Sequence, residues 1–140
     1  MPGAIQFFKA DLAFRFSRRA IISKWISRVV KQEGGHLSNL NVIFCSDDYL
    51  LGINRQYLKH DFYTDIITFD YSSNLLVSGE LYISIDRVRE NAVALGVSFQ
   101  QELCRVIIHG VLHLLGYKDK VAAQKKKMRE KENECLQLLD

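Results

Sequence analysis

Two histidines, His109 and His113, have the spacing to act together. On an α-helix, residues four apart stack on one face, one turn from each other, so both imidazoles can ligate one metal ion. Asp119 follows beyond Gly116, a residue type that lets a chain double back, and its carboxylate can then reach the same ion. His109, His113 and Asp119 form a candidate zinc site with a vacant fourth position. That is the arrangement in which zinc acidifies a water, and hydrolysis is its natural chemistry. A structural zinc would be closed by four protein ligands, and no fourth candidate stands nearby. The competing reading is a pair of packing histidines, because the spacing alone is a weak motif. A zincin peptidase is not indicated, since Gly110 stands where HExxH places its general base.

The element carrying the histidines is marked at both ends. Ser98 with Gln101 is a capping-box signature and Gly116 a terminator. Between them, about Phe99 to Leu115 holds Leu103, Val106, Ile107, Ile108, Val111, Leu112 and Leu114, apolar nearly all round, so it reads as the central buried helix. Upstream, Ala4 to Phe8 reads as an opening strand. The segment from about Ser17 to Gln32 reads as an amphipathic helix with Arg18, Arg19, Lys24, Arg28 and Lys31 on its outer face, and Leu40 to Cys45 as a buried strand. Ser46 opens a short helix to about Tyr57. Asp65 to Tyr71 and Glu80 to Ile85 are rich in β-branched and aromatic residues and read as strands joined by Ser72 to Gly79. Asp86 is expected to cap a helix running to Leu95. A charged helix over about Val121 to Leu138, with Met128, Cys135 and Leu138 as its apolar stripe, completes the chain.

The order β-α-β-α-β-β-α-α-α implies an α/β domain: a mixed sheet of about four strands covered by about five helices, with the metal site on the central helix and the loop after it. At 140 residues, 48% hydrophobic and 25% charged, residues 1–140 are expected to form one folded domain, with no repeat or linker. No uncharged apolar run approaches the roughly 20 residues that cross a bilayer. Met1-Pro2-Gly3-Ala4 lacks the layout of a signal peptide. Three scattered cysteines, Cys45, Cys104 and Cys135, suit a reducing cytoplasm and exclude a cysteine zinc site. A net charge of +3 permits an anionic partner without requiring one.

The stretch His109-Gly110-Val111-Leu112-His113-Leu114-Leu115-Gly116-Tyr117 resembles the H-G-x-L-H-L-x-G-Y-D-H signature of the YbeY family of bacterial single-strand endoribonucleases and rRNA maturation factors. Upstream, Asn54-Arg55-Gln56-Tyr57 and Asp61-x-x-Thr64-Asp65-Ile66-Ile67-Thr68-Phe69 resemble its N-x-x-Y-R-x-x-D-x-P-T-D-V-L-S-F block. Gly79-Glu80-Leu81-Tyr82-Ile83-Ser84 is similar to its G-D-I-x-I-S strand. The resemblance implies a cytoplasmic, zinc-dependent endoribonuclease with one zinc per chain. It implies single-stranded RNA, notably rRNA ends, as substrate, and roles in rRNA maturation and ribosome quality control. The small ribosomal subunit or its proteins are the expected partners, with neither DNA nor membrane among them.

The chain departs from the family pattern at informative places. Asp119 stands where the family closes its motif with histidine, Lys118 where it has aspartate, Leu58 where it has arginine, and Tyr63 where it has proline. A carboxylate binds zinc at about the distance imidazole does, so metal binding is expected to survive. A guanidinium is the usual clamp for a phosphate, and Arg55, Lys59, Lys118 and Lys120 are the candidate replacements for the lost arginine. Each has a plainer reading as a solvated charge. Thr64 and Asp65 shape either the cleft or a strand-entry turn, and Lys125 to Lys127 reads as a solvated helix face. His36 and His60 read as surface residues, although His60 lies in the matching block. The rival to an enzyme is a non-catalytic ribosome-assembly factor that binds rRNA or a ribosomal protein through the basic face of the first helix.

Overall fold

A computed structural model describes residues 4–139. The reading of Met1, Pro2 and Gly3 as lacking a signal layout lies outside the described residues. The elements are β1 (Ile5–Lys9), α1 (Arg19–Gln32), β2 (His36–Cys45), α2 (Asp47–Tyr57), β3 (Ile66–Asp70), β4 (Leu76–Ser84), α3 (Ile85–Leu95), α4 (Phe99–Leu114) and α5 (Ala122–Gln137). Their order is the expected one. The sheet runs β1-β2-β4-β3, with β1, β2 and β4 parallel and β3 antiparallel to β4 at the edge. Among the described residues, no helix is long and apolar enough to cross a membrane.

Period-two alternation divides the strands between two apolar layers. Leu40, Val42 and Phe44 of β2 and Leu81 and Ile83 of β4 join α1, α3 and α4 in the main core, whereas Cys45 and Ile67 meet Leu50 of α2 in a smaller cluster. Within α4, Leu103, Ile107, Ile108 and Leu112 are fully buried, and burying each contributes roughly 1.5–3 kcal/mol. Trp25 Nε1 donates to the Cys135 carbonyl at 2.8 Å and ties α1 to α5.

Three expectations need correction. β2 begins at His36 rather than Leu40, because its exposed polar start, with Ser38 and Asn39, still pairs with β4 across a bulge between Leu37 and Asn39. β4 begins at Leu76 rather than Glu80. Gly79, read as part of a turn, lies in the strand because the neighbours come too close for a side chain: a Cβ there would stand 2.5 Å from the Phe69 carbonyl and 2.9 Å from Leu114 Cδ2. The cap of α3 is Ser84, whose hydroxyl accepts from Arg87 N at 3.1 Å, and not Asp86. Asp86 instead accepts from the backbone N–H of Asp47, in the first turn of α2, at 2.9 Å.

Gly110 makes a second close approach. A Cβ on it would stand 2.8 Å from both Ile66 Cδ1 and Leu81 Cδ2. α4 therefore lies down on β3 and β4 at this residue, which sets the height of His109 and His113 beside the edge strand.

Candidate active site

The loop after α4 is held at both ends. Leu115 caps the helix, and Gly116 at φ 104° takes the left-handed conformation that stops it. Tyr117 N donates to the Leu112 carbonyl and Gly116 N to that of His113, each at 3.0 Å, the two bonds of a Schellman motif. The Tyr117 hydroxyl donates to Glu33 at the end of α1 (2.7 Å), and Gln124 Oε1 accepts from Lys120 N and Val121 N at 3.1 Å each. These anchors deliver Asp119 to the two histidines.

His109 Nε2 lies 3.3 Å from Asp119 Oδ2, and His113 Nε2 lies 3.4 Å from Asp119 Oδ1. Ligands about 2 Å from one tetrahedral zinc stand about 3.3 Å apart, so the histidine–aspartate spacings fit a shared ion. The candidate ligand atoms of all three residues lie within 4.8 Å of one another. Burial pushes the His113 pKa down, and neighbouring His109 pushes the same way, which favours the neutral ring whose lone pair a metal needs.

A residue missed in the sequence completes the arrangement. Glu132 of α5, 2% exposed, lies with Oε2 2.6 Å from His109 Nδ1. A carboxylate there fixes the ring with Nε2 turned toward Asp119, the orientation a carboxylate behind a metal-binding histidine imposes. Arg105 donates to Glu132 Oε1 at 3.1 Å and also pairs with buried Glu102. Burial pushes the Glu132 carboxyl up, but the bonds from His109 and Arg105 outweigh it and hold the carboxyl below the usual range. The available signal was a charge on the stripe: Glu132 lies between Met128 and Cys135 on the buried face of α5.

The histidines and Asp119 open into a cleft of about 1050 Å³. Leu58, His60 and Phe62 line it from the loop before β3; Thr64 to Thr68 and Asp70 line it along β3, and Gly116 to Lys120 from the loop after α4. Lys118 and Lys120 are thus brought to the metal cluster, and neither forms an ion pair among the described residues. Arg55 and Lys59 are not: neither lines the cleft, and exposed Arg55 pairs with Asp61. Of their two expected roles, Thr64 and Asp65 take the cleft-lining one. The Asp65 carbonyl accepts from Ser84 N at 2.9 Å where β3 begins. Burial raises the Asp65 carboxyl above its usual range. His36 and His60 are both exposed, as expected, and His60 also lines the cleft.

A mixed sheet covered by helices, whose buried helix presents two histidines and whose following loop presents an aspartate to a lysine-edged cleft, defines a metal-dependent hydrolase type of centre. The family model described as endoribonuclease YbeY matches residues 6–140, and this chain belongs to that family. Relatives named endoribonuclease YbeY include one from Cytophaga hutchinsonii, 48% identical, covering 96% of this chain and 94% of the relative. Another, from Flavobacterium psychrophilum, is 49% identical over 94% of both chains. The solution structure of a Thermotoga maritima protein superposes with a TM-score of 0.66 at 30% identity, covering 94% of this chain and 86% of that one.

Proposed function

We propose that residues 1–140 form one zinc-dependent endoribonuclease domain that cuts single-stranded RNA in the cytoplasm, at rRNA ends, in rRNA maturation and ribosome quality control. The small ribosomal subunit or its proteins would present the substrate. The observation that carries the reading is the convergence of His109, His113 and Asp119 at ligand spacing on the floor of a cleft edged by Lys118 and Lys120. Bound zinc would supply Lewis acidity toward a phosphodiester and a nucleophile at neutral pH. Glu132 fixes the His109 ring so that it presents Nε2 to the ion. Lys118 and Lys120 place ammonium groups where charge builds on a phosphate, the task a guanidinium at position 58 would perform. Asp65 lies on the same wall, and burial raises its carboxyl above the usual range.

The test is cleavage of a labelled single-stranded RNA by untagged protein, with duplex RNA and single-stranded DNA as controls. His113→Ala should lose cleavage and metal while remaining folded. Cleavage undiminished in highly purified His113→Ala would refute the assignment.

One observation favours a second reading, a non-catalytic assembly factor. Leu58 leaves the cleft lip without the family's guanidinium, while α1 exposes Arg19, Lys24, Arg28 and Lys31. That reading predicts metal and rRNA binding without any cleavage.

A further inference from the structure

Phe62 is 55% exposed, yet the loop that carries it is tightly held. Asn54, 1% exposed, donates from Nδ2 to the Phe62 carbonyl at 2.8 Å, and its own carbonyl accepts from Leu58 N and His60 N at 3.1 Å each. Lys59 sits at φ 56°, a left-handed conformation unfavourable to a lysine that these bonds impose. The result is a fixed pair of rings at the cleft lip: His60 and Phe62 lie nearly parallel, 21° between planes, with centroids 5.0 Å apart. The neighbouring aromatics are engaged elsewhere. Tyr63 lies under the Arg87 guanidinium at 5.2 Å and donates to Asp48, and Tyr57 meets Phe69 edge-on in a groove separate from the cleft.

We infer that the His60–Phe62 pair is a stacking platform for one unpaired base of the RNA strand held in the cleft. An apolar ring held rigidly in water leaves its face unburied, and a nucleobase can cover that face whatever its sequence. The platform and the lysines come from different loops of the cleft, so base and backbone are sorted: the base to the 58–62 loop, the phosphates to Lys118 and Lys120. A base stacked within a duplex is not free to lie on Phe62, so the platform selects single strands. This inference rests on the RNA-cleaving reading above and deepens it.

The experiment compares wild type, Phe62→Ala and Phe62→Trp on a short single-stranded RNA and on a set of the same strand with one abasic position moved along it. Phe62→Ala is expected to raise KM about 10-fold, within the range one lost base–aromatic stack gives, with kcat unchanged. Phe62→Trp should restore KM, and its added fluorescence should be quenched on RNA binding. One abasic position should raise the wild-type KM about 10-fold and leave Phe62→Ala indifferent. If wild type cuts RNA but Phe62→Ala matches its KM, or no abasic position discriminates them, the platform is wrong and the nuclease reading stands. If wild type neither binds nor cuts RNA, both fall. Phe62 is exposed, and an unchanged melting temperature verifies that the variants are folded.

Discussion

Behind His109 lies a buried, paired cluster of charges; in front of it two lysines stand open. On the buried side, Glu102 and Glu132, 1% and 2% exposed, share Arg105, and Glu132 also accepts from His109. On the cleft side, Lys118, Lys120 and Phe62 are exposed, and the lysines have no ion-pair partner among the described residues. The buried side orients ligands, and a gap there leaves a charge without water or partner. The open side meets a mobile, solvated substrate, where each group adds a modest, separable increment.

The sharpest way to break this contrast is Glu132→Ala. It takes from Arg105 one of its two buried carboxylate partners and from His109 Nδ1 its acceptor, and should lower unfolding stability by about 3 kcal/mol, the low end for a broken buried pair because Glu102 still answers Arg105, measured by urea denaturation of the metal-free protein. Glu132→Gln keeps the shape but not the acceptor charge, and should weaken zinc binding about 10–100-fold in a chelator competition. If Glu132→Gln binds zinc like wild type, the orienting role is lost and only packing remains.

Gly110→Ala tests whether the height of α4 matters. Alanine is the better helix former, but its Cβ enters at 2.8 Å from Ile66 and Leu81. Overpacking should dominate, with a loss of about 1–3 kcal/mol by the same denaturation. A gain of stability would show that α4 can lift without harm.

Protonation gives a smaller, signed effect. The His113 pKa is lower in the folded state than its ordinary 6.5, chiefly through burial. The unfolded chain therefore binds the proton more readily, and His113 destabilises the metal-free protein as pH falls below about 6.5 toward the folded-state value. Above that window it contributes nothing. His113→Gln should lessen the stability lost between pH 7.5 and 5.5; an identical loss would contradict the burial argument.

Arg55→Ala should do least. Its pair with Asp61 is exposed on both sides and lies outside the cleft, so stability and cleavage should stay within about 0.5 kcal/mol of wild type. A large loss of cleavage would return Arg55 to the site as the replacement for the missing guanidinium.

The sequence made the open side more legible than the buried one. His109, His113 and Asp119 could be read because helical spacing and a following glycine are local signals, as are the caps Ser46 and Ser98, both of which accept from the N–H expected of them. Glu132 could not be paired with His109 in advance, because that contact spans 23 residues and depends on how α5 docks. The start of β4 is hidden for a related reason: Gly79 carries a turn-like identity, and only the Phe69 carbonyl of β3 and Leu114 of α4 closing on it explain a glycine in mid-strand. The cap of α3 was misplaced by two residues because Asp86 is a good cap by type but was already committed to α2.

The most direct test of the central claim is zinc content and affinity of protein purified without a histidine tag, wild type against Asp119→Ala. Wild type should hold about one zinc per chain and Asp119→Ala should lose it, since Asp119 touches both histidines. No zinc in wild type even after zinc is added, or equal binding by Asp119→Ala, would contradict the two-histidine, one-carboxylate centre.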